Sequence, residues 1–310
     1  MAYKVIADEP LPPELAEMLD GVDLHVWSQE PDVDFADADG FLAYSHHTVD
    51  GAVMDRMPKV KVISNFGVGV DHIDLKAAQK RGIPVGNTPN LVDGATADMT
   101  FGLILATARN MVLGDHFARS DAFTHYDPRL FMGTEVHGTT LGIVGLGNIG
   151  YQVAKRGLGF DMKVLYHNRR PSPRGDELGA QYCSLDELLP QADFVVLTVP
   201  LTDQTRGLIG ARELGLMQKS AILVNTARGG VVDHQALVDA LENGTIAAAG
   251  LDVTEPEPLP RDHPLLAMEN VVIMPHLGSA TRQTRLAMAQ LTADNLMAGL
   301  EGRDLKTRIA

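Results

Sequence analysis

Acidic, basic and imidazole side chains follow separate apolar runs in the second half of this chain. Arg228, the pair Glu255 and Glu257, and His276 each come soon after a different run. Because parallel strands end at one edge of a sheet, these groups would converge if the runs are strands. A histidine can donate a proton near neutral pH, a neighbouring carboxylate favours its charged form, and a guanidinium binds a carboxylate or polarises a carbonyl oxygen. Any one of these residues is more simply explained as a surface side chain, but together they favour an active site for a carbonyl compound.

A glycine motif, Gly145-Leu-Gly-Asn-Ile-Gly150, lies between a strand-type run and a plausible helix over 148–159. Its glycines permit a tight turn and let the backbone approach a pyrophosphate, which a helix N-terminus then binds through its free N–H groups and dipole. The motif alone is weak evidence, but a preceding strand and a following helix are the context that a dinucleotide site requires. We therefore predict a nicotinamide cofactor, with His276 as the proton donor to the reduced carbonyl.

The residues that would face the adenine ribose favour NADPH. In NAD enzymes an acidic residue about 20 positions past the motif accepts the ribose 2′-OH, but Asn168 stands at that place in this chain. Arg169 and Arg170 follow it, and guanidinium groups are the bidentate partners that a phosphate prefers. The alternative is that the two arginines mark an exposed turn. Because the acidic residue is missing as well, we expect NADPH to be preferred, with NADH as a second cofactor.

Apolar runs alternate with helical patterns along nearly the whole chain, which predicts an α/β protein with parallel sheets. At 310 residues, two domains are expected. Before the glycine motif we predict a doubly wound unit with strands at 3–7, 23–27, 40–43, 60–65 and 84–87, and helices at 12–19 and 75–80. A second unit has six predicted strands, the number of a full dinucleotide-binding sheet, at 141–144, 163–166, 194–198, 221–225, 247–251 and 271–274. Ser184 and Glu187 form a capping-box pattern, Asp233 opens a helix, and 279–300 reads as an amphipathic helix.

Composition narrows the class of protein. A formal net charge of -14 argues against a nucleic-acid surface, because phosphates would be repelled. The longest apolar stretch, 95–113, is interrupted by polar residues and does not predict a membrane span. A single cysteine, Cys183, suits a reducing compartment, and residues 1–8 lack a signal region, so we expect a cytoplasmic protein. His46 and His47 have no further ligands at suitable spacing, so no metal site is predicted.

Six motifs spread over nearly the whole chain resemble the signatures of one enzyme family, the D-2-hydroxyacid dehydrogenases. The similarity is greatest to the glyoxylate/hydroxypyruvate reductase branch. Each motif would be modest evidence alone, but jointly they are specific. The motifs are Asn65-Phe-Gly-Val-Gly-Val-Asp71, Asn87-Thr-Pro89, Gly145-Leu-Gly-Asn-Ile-Gly150, Asn225-Thr-Ala-Arg-Gly-Gly230, Gly250-Leu-Asp-Val-Thr-Glu-Pro-Glu-Pro258 and Pro275-His-Leu-Gly-Ser-Ala-Thr281.

The resemblance implies roles for individual residues. Catalysis is assigned to Arg228, Glu257 and His276, and Glu255 becomes a solvated loop residue. Many members carry a tryptophan before the glycine motif that reaches the partner subunit's active site; here Leu130 and Phe131 stand in that segment. The implied substrate-binding residues are Phe66, Val68, Gly69, Arg228, Leu130 and Phe131. The implied cofactor-binding residues are Thr96, Gly145, Leu146, Gly147, Asn148, Ile149, Gly150, Asn168, Arg169, Arg170, Val199, Pro200, Thr205, Thr226, Ala227, Asp252, His276 and Gly278.

The resemblance also implies the architecture and the activity. It predicts a Rossmann cofactor domain, 98–284, inserted into a flavodoxin-like substrate domain, 1–97 and 285–310. The expected protein is a homodimeric reductase of small 2-oxo acids such as glyoxylate and hydroxypyruvate. Two alternatives stay open: a 3-phosphoglycerate or other D-2-hydroxyacid dehydrogenase that uses NAD, and an NAD(P)H-sensing, corepressor-like binding protein. The second would not need all three catalytic groups, which this chain keeps.

Overall fold

A computed structural model describes residues 2–30 and 32–310. The chain forms two compact units, Met1–Val92 with Thr281–Ala310, and Asp93–Ala280. The divisions predicted after residues 97 and 284 fall inside the helices Asp93–Ala108 and Arg282–Leu300, whereas the observed divisions leave each of these helices whole. In the described residues no helix is both long and apolar enough to cross a bilayer.

The first unit contains a parallel sheet of five strands, as predicted. The strands are β1 (Tyr3–Ala7), β2 (Val22–Val26), β3 (Gly40–Ala43), β4 (Val62–Asn65) and β5 (Val85–Gly86). They are arranged in the order β2-β1-β3-β4-β5, which is the flavodoxin-like doubly wound order. The helices are α1 (Pro13–Ala16), α2 (Gly51–Asp55) and α3 (Leu75–Arg81).

The C-terminal segment supplies the remaining helix of the first unit, α11 (Arg282–Leu300). Nine of its residues between Met288 and Leu300 are buried, several of them adjacent and two of them, Thr292 and Asn295, polar, so more of this helix is covered than one apolar face. A Cβ on Gly299 would overlap the side chain of Val62, and the Ser64 hydroxyl donates to the carbonyl of Thr292 at 2.8 Å. Residues at the end of the chain therefore complete the core around β4.

The second unit contains a parallel sheet of seven strands, one more than predicted. They are β6 (Thr140–Val144), β7 (Lys163–His167), β8 (Gln181–Tyr182), β9 (Phe194–Leu197), β10 (Ile222–Asn225), β11 (Ala248–Leu251) and β12 (Val271–Ile273). The order β12-β11-β10-β9-β6-β7-β8 contains the Rossmann arrangement, with its topological switch point between β6 and β9. The expected count of six was wrong because β8 has only two residues, both exposed, and so gives no apolar run.

Helices connect the strands of the second unit. They are α4 (Asp93–Ala108), α5 (Met111–Ala118), α6 (Asn148–Gly159), α7 (Pro173–Glu177), α8 (Leu185–Leu188), α9 (Ala211–Leu216) and α10 (His234–Glu242). The predicted capping box is confirmed, because Ser184 and Glu187 exchange both side-chain to backbone bonds at the start of α8. Asp233 caps α10 by accepting the N–H of Ala236, as predicted. The predicted fold class of two parallel-sheet α/β domains is therefore confirmed.

Candidate active site

A histidine and a glutamate pair directly beyond the carboxyl ends of β11 and β12. Nδ1 of His276 lies 2.7 Å from Oε1 of Glu257. Their side chains are 28% and 35% exposed, so a ligand can reach them while solvent is partly excluded. A carboxylate only accepts hydrogen bonds, so Nδ1 carries the hydrogen and Nε2 is the nitrogen that can exchange a proton with a ligand. The pair has the chemistry of a general acid supported by a carboxylate.

Asp252 holds the turn that presents His276. Its carboxylate accepts the backbone N–H groups of Leu277 and Gly278, each at 2.7 Å, and its carbonyl accepts the N–H of His276 at 2.9 Å. His276 has a φ of 56°, a left-handed conformation that costs a non-glycine residue about 1–2 kcal/mol. Burial raises the pKa of Asp252, although the two backbone N–H groups oppose this by favouring the carboxylate. We conclude that Asp252 stabilises the strained turn.

A buried asparagine at the end of β10 holds the turn that carries Arg228. The side chain of Asn225 is fully buried, its oxygen accepts the N–H of Ala227 at 3.0 Å, and its amide donates to the carbonyl of Arg228 at 2.9 Å. Both ends of the turn are thereby fixed to one rigid strand. Sequence reasoning included Asn225 only as part of a motif and gave it no role of its own.

The turn of Arg228 packs against the loop of Glu257. A Cβ on Gly229 would overlap the backbone of Thr254, and one on Gly230 would lie 2.8 Å from Oε2 of Glu255. The two segments can touch because the Gly-Gly pair has no side chains. The structure therefore brings the Arg228 turn and the Glu257 loop together within one unit, as the strand-end argument predicts. Glu255 itself forms a half-exposed ion pair with Arg206 at 3.4 Å.

The glycine motif forms an open cradle at the switch point between β6 and β9. Gly145 has a φ of 105°, and a Cβ there would lie 2.8 Å from the side chain of Val199. A Cβ on Gly150 would overlap the carbonyl oxygen of Gly145, so α6 packs directly on the turn. A Cβ on Gly147 would meet nothing within 4 Å, and no side chain caps α6 at this residue. The free helix N-terminus and the open space above Gly147 fit the pyrophosphate of a dinucleotide.

Asn168 is engaged with the protein's own backbone. Its side-chain oxygen accepts the N–H of Leu146 at 2.7 Å, and its amide lies 3.5 Å from the carbonyl of the same residue. Asn168 thus closes the glycine turn from the end of β7. Arg169 and Arg170, which follow it, are both exposed, so their guanidinium groups are accessible to an anion.

A third arginine reaches the glycine motif and was not predicted. Nη1 of Arg174 donates to the side-chain oxygen of Asn148 at 2.6 Å, and its guanidinium lies 5.4 Å from the centre of the Tyr151 ring. Arg174 belongs to the first turn of α7, which packs so closely that a Cβ on Gly175 would lie 2.5 Å from the Tyr166 ring. This approach depends on tertiary packing, and the sequence shows only one more arginine in a polar segment.

Other predicted cofactor residues surround the same sheet edge. A Cβ on Gly278 would lie 3.1 Å from Oδ2 of Asp252 and 3.3 Å from the Thr96 side chain, so these three residues meet. The hydroxyl of Thr226 is paired with that of Thr100 at 2.9 Å, and Thr205 donates to the carbonyl of Pro200 at 2.6 Å. Leu146 is buried, and Ile149, Val199 and Ala227 are half-buried.

In the first unit, two asparagine side chains hold the backbone that follows β4. The side-chain amide of Asn65 donates to the carbonyls of Gly67 and Gly69 at 2.9 and 3.0 Å, and that of Asn87 donates to the carbonyl of Val68 at 3.0 Å. In a trans peptide the N–H points opposite to the preceding carbonyl. The N–H groups of Val68 and Gly69 therefore point away from the carbonyls that the asparagines hold, and their role in binding an anion stays a prediction.

The remaining predicted substrate residues lie in two places. The Phe66 ring packs 4.8 Å from the Tyr44 ring, with the guanidinium of Arg285 lying 5.6 Å from its centre on the same unit. Phe131, in the second unit, packs 5.3 Å from Phe117. Leu130 is 45% exposed. The roles of these residues in substrate binding stay predictions.

A Rossmann sheet with an open glycine cradle and a histidine–glutamate pair defines a nicotinamide-dependent dehydrogenase. Residues 101–278 match the family described as "D-isomer specific 2-hydroxyacid dehydrogenase, NAD binding domain". The chain belongs to the D-isomer specific 2-hydroxyacid dehydrogenase family, and it is an NAD(P)-dependent oxidoreductase.

Several similar relatives are named glyoxylate reductases. The chain is 44% identical to the glyoxylate reductase of Thermococcus kodakarensis over 97% of this chain and 94% of that protein. It is 45% identical to that of Aeropyrum pernix over 94% and 91% of the two chains. The crystal structure of the NADPH-dependent glyoxylate/hydroxypyruvate reductase of Sinorhizobium meliloti, in complex with NADP and malonate, has a TM-score of 0.92 at 32% identity and covers 100% of this chain and 97% of that one. These similarities confirm the predicted branch.

Proposed function

We propose that this protein reduces small 2-oxo acids, with glyoxylate and hydroxypyruvate as the leading substrates, to 2-hydroxy acids. The observation that carries the proposal is the contact of 2.7 Å between His276 and Glu257 in the unit that holds the glycine cradle. A corepressor-like sensor would need the cradle but not this pair. The names of the relatives favour glyoxylate and hydroxypyruvate over larger acids.

The three catalytic residues have different tasks in this reaction. A reduced nicotinamide, when bound in the glycine cradle, would supply the hydride for the carbonyl carbon. Nε2 of His276 gives its proton to the carbonyl oxygen, so that a neutral hydroxyl forms, while Glu257 stabilises the charged imidazolium before the transfer. Arg228 polarises the carbonyl and binds the substrate carboxylate. The N–H groups of Val68 and Gly69 are the second carboxylate site.

We propose that NADPH is the preferred cofactor and NADH a second one. No carboxylate follows β7 at the ribose position, since Asn168 stands there and is bonded to Leu146. Arg169 and Arg170 are exposed beside it, and a 2′-phosphate needs such partners. The NADP complex of the Sinorhizobium meliloti reductase supports this preference.

One set of initial-rate measurements tests the reaction and the cofactor together. Glyoxylate, hydroxypyruvate, pyruvate and 3-phosphohydroxypyruvate are assayed with NADPH and with NADH, and kcat/KM is compared. We expect the highest kcat/KM for glyoxylate or hydroxypyruvate with NADPH, and a loss of about 100- to 10,000-fold in kcat for His276→Ala. A higher value for 3-phosphohydroxypyruvate would contradict the substrate, a higher value with NADH would contradict the cofactor, and unchanged turnover of His276→Ala would contradict the mechanism.

We also propose a homodimer in the cytoplasm. The segment from α5 to β6 exposes large apolar side chains, an arrangement typical of a protein interface. They are Met111 (57% exposed), Phe123 (51%), Tyr126 (81%), Leu130 (45%), Phe131 (39%) and Met132 (78%). The single cysteine, Cys183, is a buried free thiol, which suits a reducing compartment. Light scattering of the purified protein is expected to give twice the mass of 33.4 kDa, and a monomer would contradict the dimer.

A further inference from the structure

A histidine outside the catalytic set touches the loop that carries Glu257. His234 is the first residue of α10, and its Nδ1 lies 2.8 Å from the carbonyl oxygen and 3.3 Å from the N–H nitrogen of Glu255. Glu255 lies two positions before Glu257. The imidazole therefore binds the backbone of the catalytic loop from the side of α10.

The surroundings of His234 select its neutral form. The shorter contact, to the carbonyl, means that Nδ1 carries the hydrogen and donates to Glu255. Nε2 is then a bare acceptor, and it is buried without a hydrogen-bond partner in the part of the chain that the structure describes. A proton added to Nε2 would create a buried donor with nothing to accept it, which is costly.

The charged groups around His234 do not supply such a partner. Burial lowers the pKa of His234, and the ring of His263, 6.2 Å away, adds to this if it is charged. The hydrogen bond between Nδ1 and the Glu255 backbone favours the charged form, and so do the carboxylates of Glu255 and Asp233. None of these groups accepts a hydrogen from Nε2, because Glu255 pairs with Arg206 at 3.4 Å and Asp233 caps α10. The neutral imidazole is therefore the form that fits the docked loop.

Movement of Glu255 would be transmitted to the catalytic groups. Thr254 donates its N–H to Oε2 of Glu257 at 3.4 Å, and its hydroxyl to the carbonyl of Pro256 at 2.9 Å. The opposite side of the loop rests on Gly229 and Gly230, which leave no space for a side chain. The loop is thus held between His234 and the turn of Arg228, and loss of either contact would displace Glu257.

We propose that His234 is a positioning residue: its neutral imidazole docks the loop 254–257 so that Glu257 meets His276, and its protonation releases the loop. The inference deepens the proposed function by adding acid-sensitive control of the same site. Above the ordinary histidine pKa of about 6.5, His234 is neutral whether the loop is docked or released. As the pH falls below about 6.5, His234 is protonated first in molecules whose loop is released. The ratio of docked to released loop therefore drops by up to about tenfold per pH unit, until the pH reaches the lowered pKa that His234 has when the loop is docked.

The test uses His234→Asn, whose amide nitrogen occupies the same place along the side chain as Nδ1 and cannot be protonated. We expect this variant to match the wild type in kcat/KM for glyoxylate with NADPH at about pH 8 and to lose severalfold less activity toward about pH 5.5. His234→Phe, which fills the space without a donor, is expected to lose kcat at both pH values. His137→Asn, at an exposed histidine paired with Asp161, serves as the matched control and should follow the wild type.

Hydrogen exchange separates this inference from the proposed function. In the full-length protein without substrate, the amides of Thr254, Glu255 and Glu257 are expected to exchange about tenfold faster at about pH 5.5 than at about pH 8 in the wild type, after correction for intrinsic rates. They are expected to show no such change in His234→Asn. The same acceleration in both proteins would overturn the role of His234, whatever the substrate proves to be. An acid limb of kcat/KM that is identical in wild type and His234→Asn would overturn it as well.

Discussion

Replacing Asp252 with asparagine tests how the turn of His276 is held. The carboxylate accepts the N–H groups of Leu277 and Gly278 at 2.7 Å each. An amide of the same shape keeps one acceptor oxygen but presents an NH₂ group to the other N–H. One charge-assisted bond therefore becomes a neutral bond, and the other is lost.

The expected cost of Asp252→Asn can be worked out from these two bonds. The first hydrogen bond weakens from about 1.5–3 to about 0.5–1.5 kcal/mol. The second N–H is left unpaired, which costs about 1–3 kcal/mol, and both changes destabilise the turn. Because burial raises the pKa of Asp252, removing its charge recovers part of this loss. A net cost of about 2–3 kcal/mol remains. Because the left-handed φ of His276 is strained, the weakened turn is expected to change its conformation. We expect kcat to fall about 30- to 150-fold.

The assay is kcat for glyoxylate with NADPH, accompanied by thermal unfolding. Asp193→Asn is the matched control, because Asp193 also accepts a backbone N–H, that of Thr140 at 2.8 Å, but at the other ends of β6 and β9. That variant should lose stability while keeping its kcat. The assigned role of Asp252 is refuted if Asp252→Asn keeps roughly half of the wild-type kcat. It is also refuted if the control Asp193→Asn loses as much kcat as Asp252→Asn does.

Further predictions concern the proposed anion-binding residues and the dependence of stability on pH. Arg174→Met is expected to weaken the binding of NADPH and of NADH equally, about 5- to 10-fold, because Arg174 lies at the pyrophosphate end of the cradle. Alanine at both Arg169 and Arg170 should weaken the binding of NADPH alone. Both affinities are measured by fluorescence titration, and a loss of affinity for only one cofactor in Arg174→Met would contradict the placement of Arg174. Asn65→Leu should raise KM for glyoxylate about tenfold without changing NADPH affinity, since the two bonds that hold the carbonyls of Gly67 and Gly69 are lost. An unchanged KM would contradict the proposed role of Val68 and Gly69. Because the pKa of Asp252 is raised in the folded protein, its contribution to stability is present below the ordinary value of about 3.9 and is lost as pH rises through the folded value. Thermal unfolding should therefore show that Asp252→Asn gains stability relative to the wild type as the pH rises from about 4 to about 7. A difference in stability between the two proteins that stays constant over this range would contradict the raised pKa of Asp252.

The sequence predicted the sheets well because many of their strands are buried on both faces. β3, β4, β9, β10 and β11 are buried at every residue, and such strands appear as short continuous apolar runs. The reactive residues could be found for the same reason, since they follow those runs. β8 was missed because two exposed residues leave no pattern, and helix α1 ends at Ala16 although its pattern continues to residue 19.

The supporting contacts could not be predicted, because they join residues far apart in the chain. Asp252 bonds to Leu277 and Gly278, and Arg174 bonds to Asn148. Asn87 reaches back to Val68 across nineteen positions. Spacing shows which residue types could react, whereas the contacts that orient them depend on how the strands and loops pack.

The placement of α11 has a consequence for how the protein folds during synthesis. All of Asp93–Ala280 is one continuous stretch, so the Rossmann unit can begin to fold once that stretch has left the ribosome. The sheet of the first unit is made earlier, yet Val62 and Ser64 stay without their partners until Gly299 and Thr292 have been synthesised. One face of the sheet at β4 therefore stays uncovered until α11 has been synthesised, and these long-range contacts are slow to form. Substitutions that weaken α11 should therefore appear first as poor folding yield, before any change in the catalytic constants of the protein that does fold.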